Sequence, residues 1–213
     1  MTFFRDFPIP EQPQHTRTER SVPPPWAGPP MHELPAVVPV SKFIYQSPTF
    51  VLAIEAVKIY SAGCIIDASW MFRRTDQDDR RWSDLNAVFH RGAPHLHNGK
   101  ISLDSVLLFG VQFPDGTKAS TSSHVIYSRA AIPQQKPQAP VFDYRGKGGS
   151  SNDDEMAASV SLWLWPLPPA GDLRLVAQWT DMGMPESSIT LDGAQLREAA
   201  AGAQKYWPEE TQG

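Results

Sequence analysis

The chain has a single cysteine, Cys64, among 213 residues. A lone thiol excludes an internal disulfide and any multi-cysteine zinc or iron–sulfur site. It also fits a reducing, cytoplasmic setting. No apolar run approaches the ~20 residues of a membrane-crossing helix, so no membrane partner is expected. Positive charge is not in excess: 19 Lys and Arg face 23 Asp and Glu, for a net charge of −4. Nucleic-acid binders show a basic excess or patch, so no nucleic-acid partner is expected. The start, Met-Thr-Phe-Phe-Arg-Asp-Phe-Pro, lacks the basic stretch and continuous apolar run of a secretion signal.

What the chain has in excess is proline, 21 residues against 14 glycines. Eleven of them fall before residue 49. Proline has a fixed φ and no N–H to donate, so residues 1–35, with Pro23-Pro24-Pro25 and Pro29-Pro30, form neither a helix nor a central strand. An extended polyproline-type arm is expected there.

From Ala36 the pattern changes to short strands. Thr49 to Tyr60 is rich in β-branched and aromatic residues, and Ser61-Ala62-Gly63 reads as a turn. Cys64, Ile66, Ala68, Trp70 and Phe72 then alternate with polar positions, the mark of a half-buried antiparallel strand. Leu107, Phe109, Val111 and Phe113 repeat the pattern before the turn Pro114-Asp115-Gly116, and Thr117 to Tyr127 offers a return strand. Ser159–Trp165 and Leu173–Trp179 form two more strands around Pro166-Leu167-Pro168-Pro169-Ala170-Gly171. Ser187 to Leu191 is a short extended piece.

Helical spacing is read only near the C-terminus, where Leu196, Ala199, Ala200, Ala203 and Trp207 share one face. Asp192 with Gln195 resembles a capping box and Pro208 a stop. The expected fold is a mainly β antiparallel sandwich over 36–191, immunoglobulin-like in character, with a helix over 192–208 packed on it. Residues 74–100 and 129–155 are expected to be long loops, the second with a disordered stretch at Gly146–Glu155.

The run Trp163-Leu164-Trp165-Pro166-Leu167-Pro168-Pro169-Ala170-Gly171, the strand to Trp179 and the Ala-rich stretch ending at Trp207-Pro208 resemble a group of small uncharacterised actinobacterial proteins. Phe109-Gly110-Val111-Gln112-Phe113-Pro114-Asp115-Gly116 fits the same resemblance. It implies a bacterial, β-rich protein and carries no activity, ligand or catalytic residue.

Candidate chemistry is thin. His90, His95 and His97 put three imidazoles in eight residues, a possible set for zinc or another borderline metal, with Asp76, Asp78, Asp79 or Asp104 as a further ligand. An exposed loop is the simpler expectation, since Gly92 and Pro94 interrupt the run. Gly146-Lys147-Gly148-Gly149-Ser150 has its lysine in the wrong order for a phosphate loop. No Gly-x-Ser-x-Gly elbow exists, and Cys64 on an apolar strand face reads as a core residue. No cofactor and no catalytic residue are therefore expected.

Interaction is the stronger expectation, through a protein partner or self-association. Phe3, Phe4 and Phe7 form an aromatic cluster at the end of the arm, and Trp26 lies further along it. Ordering such a segment is offset only if the rings are buried. Trp163 and Trp165 lie opposite Val160, Leu162 and Leu164, so something must cover both faces of that strand. The C-terminal helix with Trp207 is the expected cover; a bound partner is the alternative. The chain thus reads as a non-enzymatic interaction or accessory module. The competing reading is an enzyme or small-ligand binder using the His90–His97 segment.

Overall fold

The computed structural model describes residues 23–90, 95–97, 100–122 and 136–207. Its elements run β1 (Glu33–Leu34), β2 (Ala36–Gln46), β3 (Phe50–Ile59), β4 (Cys64–Arg73), α1 (Asp79–Phe89), β5 (His95–His97), β6 (Lys100–Ser102), β7 (Leu108–Gln112) and β8 (Lys118–Ser120). They continue with β9 (Val141–Ser151), β10 (Glu155–Trp165), β11 (Asp172–Trp179), β12 (Met184–Asp192), α2 (Gly193–Ala199) and β13 (Gln204–Lys205).

Two antiparallel sheets form the body. One has the order β2-β3-β4-β10-β9, the other β12-β11-β7-β8. Their inner faces meet in one apolar core, as alternation requires of a two-layer sandwich. Trp179 of β11 lies with its ring centroid 5.8 Å from Phe50 of β3 and 6.3 Å from Trp70 of β4. The faces read from sequence on β4, β7, β10 and β11 are the buried ones. On β3 the core side switches from Phe50, Leu52 and Ile54 to Val57 and Ile59, because a bulge between Ile54 and Ala56 inserts one residue. Three consecutive strands, β2-β3-β4, form a meander within one sheet.

Both ends of the sandwich are closed by helices. Helix α1 starts where the Asp78 side chain accepts from Arg81 N at 2.7 Å. It buries Trp82, Leu85 and Phe89, spaced i, i+3, i+7, over the ends of β4 and β11. The expected loop 74–100 therefore contains a helix and the strand β5. The signal was a capping aspartate before a narrow apolar stripe, hidden by the charged residues around it.

The Gly-rich stretch expected to be a disordered loop is strand β9, at the sheet edge beside β10. Its order comes from the neighbouring backbone, which needs no apolar side chain from the glycines. The β9–β10 turn is held by Asn152, whose Oδ1 accepts from Asp154 N and Glu155 N at 2.8 Å each.

The C-terminal helix is shorter than the alanine spacing suggests. Asp192 caps it as expected, accepting from Ala194 N at 2.8 Å and Gln195 N at 3.2 Å. It then gives way to a 3-10 turn at Ala200–Gly202, and the chain becomes β13. Strand β13 pairs with β1, Glu33 opposite Lys205 and Leu34 opposite Gln204. The segment 23–35 thus belongs to the folded body rather than to a free arm. Phe3, Phe4, Phe7 and Pro208 lie outside the described residues.

Candidate functional site

Three surface features are candidates: an aromatic cluster, a polar groove, and an apolar surface at the seam where β1 meets β13.

The aromatic cluster lies on the outer face of the five-stranded sheet. Trp163, Trp165, Tyr60 and Ile65 form a second buried group there, with Trp26, Ala62 and Val141 packed against it. A 3-10 turn at Pro25–Ala27 brings Trp26 to 6.0 Å from Trp165, edge to face. Trp163 Nε1 donates to the Pro25 carbonyl at 3.2 Å. Tyr60 and Trp163 also meet edge to face at 5.9 Å, and Lys136 Nζ sits 5.3 Å from the Trp165 ring. Glu33 ties the same corner, accepting from Ser61 N at 2.9 Å and Ser61 Oγ at 2.5 Å.

This corrects two expectations. The cover over Trp163 and Trp165 is Trp26, not the C-terminal helix, and Trp207 stands 73% exposed. Trp163 and Trp165 are buried and Trp26 is half-buried against Trp165, so these rings pack within the fold. The reason is nonlocal: chain entry and β10 are distant in sequence but adjacent on the sheet. Replacing Trp26 with alanine is expected to cost about 2 kcal/mol, below the range for fully buried tryptophans because this ring is only half-buried. Urea unfolding checks this; a loss under about 0.5 kcal/mol, the usual scatter for surface changes, would show that the ring contributes little.

The polar groove, of ≈ 290 Å³, opens on the same sheet between Glu55, Lys58, Asp67, Gly148, Ser159 and Ser161. Lys58 Nζ pairs with Asp67 at 2.7 Å, and Ser161 Oγ donates to the same carboxylate at 2.6 Å. The hydrogen bond to Asp67 holds the Lys58 ammonium above its usual range, against the lowering effect of burial. Here the serine donates its proton to a carboxylate already paired with a lysine. That arrangement fixes strands β3, β4 and β10 and does not supply a base to activate a nucleophile.

Of the metal candidates, His90, Asp78 and Asp79 each have contacts of their own. His90 is the C-cap of α1, with its ring 5.2 Å from Phe89. His95 and His97 lie on β5, paired with β6 instead of lying in a loop. Asp78 is spent on the helix cap and Asp79 on a 2.7 Å ion pair with Arg74. Among the described residues no group of three His, Cys, Asp or Glu is placed to hold a metal ion.

Cys64 is fully buried, and burial pushes its thiol up to about 12 from 9.0. Tyr144 is likewise raised to about 12 from 10.0, first by burial, with its hydroxyl donating to the Leu107 carbonyl at 2.5 Å. Both groups are neutral in the fold and ionise more readily when unfolded. Their contribution to stability is complete below pH 9 and is lost as pH rises toward 12. The urea midpoint is expected to fall from about pH 9 upward, and Cys64→Ala to move that onset toward the tyrosine range near pH 10. An unchanged onset in Cys64→Ala would contradict this.

The third feature is the apolar seam. Tyr206 N donates to the His32 carbonyl at 2.9 Å, extending the β1–β13 ribbon. On and beside that ribbon stand Met31, Leu34, Val37, Tyr206 and Trp207, between 47% and 73% exposed. No local pattern in the sequence marks them as one group, because pairing between the two ends of the body assembles it.

No family model, curated protein or solved structure matches the chain. No helix among the described residues is long and apolar enough to cross a membrane.

Proposed function

We propose that the protein is a non-enzymatic interaction module of the bacterial cytoplasm, an accessory subunit that holds a protein partner on the apolar seam around the β1–β13 ribbon. The observation that carries this reading is that five of the exposed large apolar side chains, Met31, Leu34, Val37, Tyr206 and Trp207, lie on or next to the two paired strands β1 and β13, while Phe43 and Met71 are exposed elsewhere. Large aromatic side chains exposed together favour protein contact, since their burial supplies much of the energy of an interface. The polar groove offers no competing chemistry, because its carboxylate, amine and hydroxyl are bonded to one another.

The test is affinity capture from the native host, with the intact chain and with Leu34→Ser/Trp207→Ser. Both substitutions are on exposed side chains, so the fold should persist, which circular dichroism verifies. Partners retained by the intact chain and lost by the variant support the proposal. Identical partner sets would sink it.

A further inference from the structure

We infer that the outer edge of β9 pairs with the same edge of a second copy of this chain, antiparallel about Gly149, joining two five-stranded sheets into one. This goes beyond the reading of the apolar seam and uses a different surface.

A sheet edge presents a row of unpaired N–H and C=O groups, and folds blunt such edges with proline, bulges, short strands or cover. The two sheets of the body end in four edge strands, β2, β9, β12 and β8. Three of them are blunted. Strand β2 carries Pro39, is bulged between Pro39 and Lys42 and again between Phe43 and Tyr45, and lies against β12. Strand β12 has Pro185 as its second residue and shares that contact. Strand β8 is 3 residues long. Strand β9 differs from all three. It runs for 11 residues without a proline. Its bulge leaves Arg145 as the extra residue, so 146–151 is a regular stretch against β10. Among the described residues no strand pairs with its other side. Gly148, Gly149, Ser150 and Ser151 are exposed.

The edge is complementary to itself. Antiparallel pairing about Gly149 sets 147–151 of one copy against 151–147 of the other. A two-fold axis perpendicular to the sheet keeps both outer faces on the same side. Gly148 then meets Ser150, and side chains this small let the strands approach to the usual separation of about 4.8 Å. The same register carries Arg145 of one copy to Asp153 of the other, and the axis repeats that contact. Arg145 is loosely held at home, 3.7 Å from Asp143. Asp153 is fixed through its carbonyl, which accepts from Arg74 at 3.2 Å, while its side chain is exposed in the β9–β10 turn. An edge contact of this length is small, so the dimer is a weak, concentration-dependent one.

Sedimentation velocity on the full chain, from about 5 µM to about 500 µM, is expected to show a monomer–dimer equilibrium. Gly148→Lys should weaken it about tenfold or more, because the two ammonium groups meet at diagonal positions beside the axis. Gly148→Thr should leave it intact or strengthen it. A Cβ at that position meets only Ser159 Oγ, at 4.0 Å, and a β-branched residue suits a strand. Arg145→Asp and Asp153→Arg should each self-associate about tenfold more weakly, since each places like charges opposite one another. Their mixture should regain the dimer, since each variant then supplies the charge the other lacks. Circular dichroism verifies the fold of every variant. A monomer throughout, a dimer indifferent to Gly148→Lys, or a mixture no stronger than its components would overturn the inference. A dimer lost through Leu34→Ser/Trp207→Ser instead would overturn it as well. If the chain stays monomeric while that seam variant still loses its host partners, the edge inference falls and the interaction reading stands.

Discussion

Trp179→Ala is expected to lower the unfolding free energy by about 4 kcal/mol, a large share of the 5–15 kcal/mol typical of a domain. The residue is 1% exposed on β11. Its ring meets Phe50 at 5.8 Å, Trp70 at 6.3 Å and Phe89 at 5.8 Å. One side chain thus joins β3, β4 and α1 to the opposite sheet. Alanine would leave a cavity that three separate elements cannot all collapse into. Its indole Nε1 has no hydrogen-bond partner, so Trp179→Phe loses volume without breaking a hydrogen bond. It should cost less than half as much. Urea midpoints for the two variants decide the matter. Equal losses would contradict the argument that the cost follows the volume removed.

The second large effect is expected from Gly63→Ala, in the turn between β3 and β4. A Cβ there would lie 2.4 Å from the Leu164 carbonyl oxygen and 2.8 Å from the Trp163 ring. Leu164 is held in the β10–β4 ladder opposite Cys64, and Trp163 is fully buried, so neither can yield cheaply. The expected loss is about 3 kcal/mol, at the upper end of overpacking costs. Gly116→Ala is the comparison. Nothing lies within 4 Å of its Cβ position, and only the φ of +86° opposes the change. That backbone cost is about 1–2 kcal/mol. Thermal unfolding should rank Gly63→Ala well below Gly116→Ala, and the reverse order would refute the packing argument.

The elements legible in the sequence were those whose period is local. The alternation Cys64, Ile66, Ala68, Trp70, Phe72 names its own buried face, and Leu173, Leu175, Ala177, Trp179 does the same. Strand β9 was hidden because Gly146-Lys147-Gly148-Gly149 has no alternation to read. Its register is borrowed from β10, with Gly148 opposite Ser159 and Gly149 opposite Ala158. Helix α1 was hidden because its stripe of Trp82, Leu85 and Phe89 is set among charged residues. At the site, the sequence marked Trp26, Trp163, Trp165 and Trp207 as significant but mismatched the partners. Which tryptophan covers which strand depends on how the chain ends return to the sheet, and no spacing rule reports that. The seam residues Leu34 and Tyr206 had no signal at all, because their grouping exists only once β1 and β13 have paired.

That pairing has a consequence for the order of events during synthesis. Strand β1 is among the earliest parts of the body to leave the ribosome, yet its hydrogen-bond partner begins at Gln204. The β3–β4 hairpin can form while translation continues, since its strands are neighbours. The ribbon cannot. The nascent chain must carry Leu34 unpaired until Gln204 has been made.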